Sequence, residues 1–158
     1  MQQMKIYRYC PGSLTFNLVM IFTIASILCL SCRQRNTERL EPSELKCEYR
    51  DNPLGIENSN PGLSWILYSD KRGQMQSAYR ILVASNEENL KRDIGDLWDS
   101  HKVISGESVH ILYEGKRLSS GLQCFWKVCV WDNEDKKSDW SEQASWEIRL
   151  WRDCERNI

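Results

Sequence analysis

An all-β sandwich of about seven strands is the fold class this sequence predicts, on three observations. Short runs with apolar residues at every second position recur at roughly ten-residue spacing from residue 45 to residue 148. Stretches dense in Asn, Asp, Gly and Pro separate them. The 158-residue chain carries seven tryptophans, four of which (Trp126, Trp131, Trp140 and Trp146) crowd into residues 123–147. So much aromatic bulk calls for an aromatic core, a stacking surface, or both.

In chain order, "LKCEY" (45–49) predicts the first strand and "DNPLGIENSNPG" (51–62) a loop. "LSWILY" (63–68) sets Leu63, Trp65 and Leu67 on one face, and "DKRGQ" turns the chain. "SAYRILVAS" (77–85) puts Tyr79, Ile81 and Val83 inside and Arg80 outside, the period of two of a half-buried strand. "NEENLKRDIGD" (86–96) predicts a helical turn capped by Asn86 and ended by Gly95. "LWDS" and "KVI" give a short edge strand, and "SVHILY" (108–113) aligns Val109, Ile111 and Tyr113. "EGKRLSSG" is a turn-rich link. "CFWKVCVWD" (124–132) alternates with Cys124, Trp126, Val128 and Val130 inward, "NEDKKSD" is a hairpin loop, and "ASWEI" (144–148) closes the series. An immunoglobulin-like or fibronectin type III-like sandwich follows, and about 110 residues suffice for its core. The opposite face of 124–132 carries Phe125, Cys129 and Trp131 and is also apolar. A sheet wetted on one side alternates more cleanly, so this face is covered by a loop of the same chain or by a partner.

Residues 1–31 read as an export signal. Lys5 and Arg8 precede an uncharged apolar run (14–30), and the chain turns polar after Ser31-Cys32. The Ser-Cys pair resembles a bacterial lipobox, in which Cys32 is lipidated and becomes the new N-terminus. The alternative is an uncleaved membrane anchor, since the run is only slightly short of the ~20 residues a spanning helix needs. Residues 32–43 form a polar tether, 44–148 the sandwich, and 149–158 an aberrant or disordered tail. An exported product, in the periplasm or on the outer membrane, is expected. Thiols can pair there, yet Cys124 and Cys129 lie five apart on one strand, facing opposite sides about 17 Å apart, beyond any disulfide. Cys47, Cys124, Cys129 and Cys154 are read as free thiols, and no C-x-x-C spacing suggests zinc. A net charge of −1 without a basic stripe gives no reason to expect nucleic acid.

Five phrases line up in order: "NPLGIENSNPGLSW", "RGQMQSAYRILVAS", "GDLWDSHKVISGES", "YEGKRLSS" and "FWKVCVWDNEDKKSDWSEQASWE". Over residues 44–148 they resemble the N-terminal fibronectin type III-like domain of bacterial α-L-rhamnosidases, large exported glycoside hydrolases. That family usually has Arg where Gly62 stands, Gly where His101 stands, and an aromatic near Cys124. The resemblance implies further β-domains and a catalytic (α/α)₆ barrel after Glu147, whereas here "IRLWRDCERNI" follows. The expectation is therefore a non-catalytic first module, a fragment inactive alone, whose partner is the missing downstream catalytic part.

Glycoside hydrolysis needs two carboxylates across a sugar-sized gap. Glu87/Glu88, Asp96/Asp99 and Asp132/Glu134/Asp135 all fall in turns, where solvated acids are the rule, so no catalytic residue is assigned. His101 and His110 lack thiol or acidic partners, and no cofactor or metal is expected. The candidate docking surface comprises Phe125, Trp131, Trp98 and Trp140. The same rings could stack on rhamnose-containing plant or bacterial glycans, which makes a carbohydrate-binding module the alternative. A further one is an active rhamnosidase completed by a separate chain. The membrane, through the N-terminal anchor, is the remaining expected partner.

Overall fold

The computed structural model describes residues 39–149; the export segment 1–31, Cys32 and residues 150–158 of the tail lie outside them. Eight strands and one short helix run in the order β1 (Glu41–Cys47), β2 (Gly62–Tyr68), β3 (Gln76–Ala84), α1 (Glu87–Lys91), β4 (Trp98–Asp99), β5 (Val103–Ile104), β6 (Ile111–Leu112), β7 (Gln123–Asp132) and β8 (Ala144–Glu147). Strands β1-β2-β6 form one antiparallel sheet, and β4-β3-β7-β8 form the other, with β5 also on β3. The predicted all-β sandwich is the fold observed.

Alternation decides which side chains meet between the sheets. Tyr79, Ile81 and Val83 of β3 and Cys124, Trp126, Val128 and Val130 of β7 all join the main core, as the period of two predicts. Leu63 and Trp65 of β2, Trp146 of β8 and Tyr113 after β6 close it. Trp65, Trp126 and Trp146 are each at most 2% exposed. A buried indole of about 200 Å² contributes on the order of 5 kcal/mol at ~25 cal/mol per Å². Trp65 also donates its indole N–H to Gln76 Oε1 at 3.0 Å. The indole N–H groups of Trp126 and Trp146 find no acceptor among the described residues, so these two rings act as bulk.

Several local details depart from the sequence prediction, each for a backbone reason. Strand β1 begins at Glu41, four residues early, and its register shifts between Ser43 and Lys46, where Glu44 takes φ +48°. Tyr49 is not in that strand: Glu48 and Tyr49 take φ of +49° and +62° in a tight turn closed by reciprocal Cys47–Arg50 backbone hydrogen bonds of 3.0 Å. Asn86 caps α1 as predicted, accepting from Asn89 N at 2.8 Å. The helix stops well before Gly95, at a C-cap on Arg92 with Asp93 at φ +59°. Gly95 serves instead as a close approach, since a Cβ there would sit 2.3 Å from the Trp98 carbonyl oxygen. The predicted edge strand is split into β4 and β5, both on β3, because His101 between them takes φ +53°. His110 at φ +56° likewise cuts the predicted strand 108–113 down to Ile111–Leu112. Val109 is therefore left 61% exposed rather than facing in with Tyr113.

Two predictions follow from this packing. Trp126→Ala should destabilise the sandwich by about 3–5 kcal/mol in urea unfolding, and Trp126→Phe by clearly less, because no hydrogen bond is lost with the indole. His101 occupies a left-handed position at which the resembled family carries glycine. His101→Gly should therefore stabilise the fold by about 1 kcal/mol, read as a higher urea midpoint at unchanged m-value.

Candidate functional site

Two outer faces could serve a partner, and they are built differently. On the five-stranded sheet, Leu82 and Ala84 of β3 and Leu90 of α1 form a second buried cluster, with Phe125 and Trp140 packed against it. The apolar outer face of β7 is thus covered over much of its length by its own chain, through α1 and the 133–143 connection that delivers Trp140. Lys127 lies in the middle of this face and is only 8% exposed. Its ammonium donates to Leu90 O at 2.7 Å and to the Asp93 carboxylate. Burying that charge is tolerable because it is paired and hydrogen-bonded.

The tryptophans on this side are capped by cations. Arg80, Lys127 and Lys137 lie 5.8, 4.9 and 5.0 Å from the Trp140 ring centre. Lys102 and Lys137 lie 4.8 and 5.7 Å from that of Trp131. Each contact is worth on the order of 0.5–2 kcal/mol, more where water is excluded. Arg80 is itself fixed by two hydrogen bonds to Asp99, of 2.9 and 2.7 Å.

Of the four residues singled out by sequence, the structure brings Phe125 and Trp140 together in the second cluster. Trp131 sits further along β7, opposite Ala78. Trp98 is elsewhere: it pairs with Val83 and packs edge-on against Tyr113 of the main core at 5.4 Å and 76°. Cys32 lies outside the described residues.

The three-stranded sheet presents the opposite case. Its outer face carries Ile66, Tyr68 and Leu112, exposed by 44, 51 and 47%, and sequence reasoning passed over all three. The signal for Ile66 and Tyr68 was apolar residues at the solvent positions of "LSWILY", and for Leu112 one at a solvent position of "SVHILY". Tyr68 is pinned by donating to Glu44 Oε1 at 2.6 Å. At the far end the Tyr49 and His110 rings stack at 5.9 Å with 8° between their planes. His110 lies directly over Gly62, where a Cβ would come within 2.4 Å of its Nδ1. Gly62, at the position where the resembled family usually has Arg, is what admits the ring.

The carboxylates considered for catalysis hold turns together. Asp132 is 1% exposed and accepts from Glu134 N and Lys136 N at 2.8 and 2.9 Å. Asp96 accepts from Ser85 N and Oγ at 3.0 and 2.6 Å; burial opposes its ionisation, but these hydrogen bonds outweigh that and its pKa lies below 3.8. Glu87 pairs with Lys91 one helical turn on. The free thiols Cys47, Cys124 and Cys129 are all buried. Burial pushes Cys124 up to about 12 and Cys129 to about 11, so neither offers a thiolate nucleophile near neutrality. Among the described residues no three His, Cys, Asp or Glu side chains gather as a metal site, and no helix is long and apolar enough to cross a membrane.

The family model described as "Rha78A-like, N-terminal immunoglobulin domain" matches residues 42–152. An α-L-rhamnosidase of Formosa agariphila is 36% identical over 141 residues, which are 88% of this chain and 14% of that protein. One of Streptomyces avermitilis is 42% identical over 65% of this chain and 10% of its own length. Two solved structures share the fold. The Streptomyces avermitilis α-L-rhamnosidase complexed with L-rhamnose superposes with a TM-score of 0.68 at 39% identity, over 71% of this chain and 11% of its own. The α-L-rhamnosidase from Dictyoglumus thermophilum gives 0.69 at 42% identity, over 72% and 13%. The chain thus spans 10–14% of the length of the curated relatives it matches.

The Arg80–Asp99 pair makes acid stability testable. Hydrogen bonding from Arg80 holds the Asp99 carboxyl below 3.8, against the opposing effect of burial. Its contribution to stability is complete above the unfolded-state value and is lost as pH falls through the lower folded value. Asp99→Asn should lower the urea midpoint at about pH 7 and flatten its decline between about pH 4 and pH 2. An unchanged decline would remove the pair from the acid response.

Proposed function

We propose, from the premise that this chain belongs to the Rha78A-like N-terminal immunoglobulin domain family, that it is a non-catalytic sandwich module of an exported α-L-rhamnosidase, supporting and orienting the domains beside it. The observation that carries this reading is the clamp on the departing chain. Ile56 N donates to Glu147 O at 2.8 Å, Arg149 N to Ile56 O at 2.8 Å, and Glu147 N to Pro53 O at 3.0 Å. These bonds put the 53–56 loop alongside the edge of β8 and fix the direction in which the chain leaves. It enters at the other end, where Glu41 lies opposite Tyr68. Ten residues of β7 set the two ends about 30 Å apart. Held at both ends, the module suits a rigid spacer between an N-terminal anchor, with Cys32 as its lipidated residue, and whatever follows Arg149.

Stacking on a rhamnose-containing glycan has less support, because arginine and lysine already lie over the Trp140 ring and lysines over that of Trp131.

Two measurements test the module reading. The purified chain should leave an aryl α-L-rhamnoside unhydrolysed. Added to the Formosa agariphila relative lacking its matching N-terminal segment, it should raise that enzyme's thermal midpoint. Hydrolysis by the chain alone, or no change in the midpoint at saturating chain, would refute it.

A further inference from the structure

Two buried thiols enter the main core from opposite sheets, and the module reading leaves both unused. Cys47, the last residue of β1, is 1% exposed, and Cys124, near the start of β7, is 0% exposed. Their strands belong to different sheets. Cys47 has Leu63 as its lateral neighbour and Cys124 has Trp146, yet both side chains join the one core. They therefore approach through the interior rather than along a sheet. Stacked sheets ordinarily lie about 10 Å apart, too far for a disulfide, whose Cα atoms stand ~4.4–6.8 Å apart. This sandwich is thinner at β1, where Cα atoms of β1 and β7 come within 8 Å of each other. Burial raises the Cys47 pKa, Glu48 adds to the rise, and so does charge on Cys124, which sets the two sulfurs in one neighbourhood. Reciprocal 3.0 Å backbone bonds between Cys47 and Arg50 hold the first of them in place. Cys129 is placed differently: it lies opposite Arg80 and is not a member of that core.

We propose that Cys47 and Cys124 become joined by a disulfide that ties the three-stranded sheet to the five-stranded one when the chain folds in the presence of a disulfide oxidant. Both are free thiols in this structure, so the bond has to be made. In the closed sandwich burial pushes Cys124 up to about 12 and Cys47 in the same direction. Exchange therefore takes place before the sheets close, while both thiols stand near the ordinary value of about 8.5. One protein thiolate attacks a sulfur of the donor disulfide and expels one donor thiolate. The other protein thiolate attacks the protein sulfur of that mixed disulfide and expels the second. Two protein S–H bonds give way to one S–S bond, the donor is reduced to two thiols, and the two protons go to them. The bond reaches from residue 47 to residue 124, across most of the described sandwich, so it removes much freedom from the unfolded chain. None of this depends on the module reading.

The test is disulfide mapping of the whole chain. It is unfolded and reduced, refolded with reduced and oxidised glutathione, and its remaining thiols are alkylated in denaturant. Trypsin releases Cys47 in peptide 47–50, Cys124 in 118–127 and Cys129 in 128–136. Peptide 47–50 should appear joined to 118–127 and come free on reduction, and the urea midpoint of the oxidised chain should fall when dithiothreitol is added. Cys47→Ala and Cys124→Ala should each abolish that fall, and Cys129→Ala should keep it. Mapping of the unsubstituted chain decides the matter even where a core variant does not fold. Cys47 and Cys124 both recovered alkylated, or either one joined to another cysteine, would overturn the proposal. So would an oxidised chain that unfolds at the same urea concentration as the reduced one.

Discussion

A chain of edge-to-face aromatic contacts holds the sandwich closed. Trp98 meets Tyr113 at 5.4 Å, Tyr113 meets Trp146 at 5.9 Å, and Trp146 meets Trp126 at 6.4 Å. Those rings come from β4, from the segment after β6, from β8 and from β7, so both sheets contribute. Each such contact adds on the order of 0.5–1.5 kcal/mol beyond the area it buries. Trp65 and Tyr79 repeat the arrangement across β2 and β3 at 5.3 Å. Short strands follow from this. Strands β4, β5 and β6 have two residues each and too few ladder bonds to persist alone. They are retained because Trp98, Val103 and Ile111 pack against a core too large for β2, β3 and β7 to cover.

Once the inner faces are committed to indoles, the outer faces must settle their own accounts of water. The five-stranded sheet does so within the chain. A lysine placed among Phe125, Cys129 and Trp140 looks like a mismatch in the pattern, yet its ammonium lies over the Trp140 ring and reaches Asp93 and the end of α1. The helix is only five residues long and could not stand alone. Leu90 packing below and Lys127 at its last carbonyls keep it in place. Among the described residues the three-stranded sheet has no such covering element, and Ile66, Tyr68 and Leu112 are exposed.

Much of the fold was legible in the sequence because period-two alternation is set by backbone geometry and needs no knowledge of partners. It located β2, β3, β7 and β8 and named the inward residues of the first three. It failed where a single residue adopts positive φ without being glycine. Glu48, Tyr49, Asp93, His101 and His110 all do so; Asp and His favour that region more than most residues, but too weakly to place it from sequence. The outer faces were harder still. The apolar outer face of β7 could be read from Phe125, Cys129 and Trp131, but whether a loop or a partner covered it depended on where residues 133–143 travel. The open face of β2 was hidden by attention to its inner residues: "LSWILY" reads as one hydrophobic run, and Ile66 vanishes into it.

The acidic residues weighed for proton transfer are engaged in the described sandwich's own turns. Acidic residues are plentiful, but a reacting carboxylate must be free to take or give a proton. Asp99 is held by Arg80 and His101 N, Asp96 by Ser85, and Asp132 by two amides of its own hairpin. Asp96 and Asp99 are held below their ordinary range, the wrong direction for a general acid, which requires a raised pKa. The same hydrogen bonds tie these turns to the strands they join. The polar groups of these turns are thus engaged in the sandwich's own geometry.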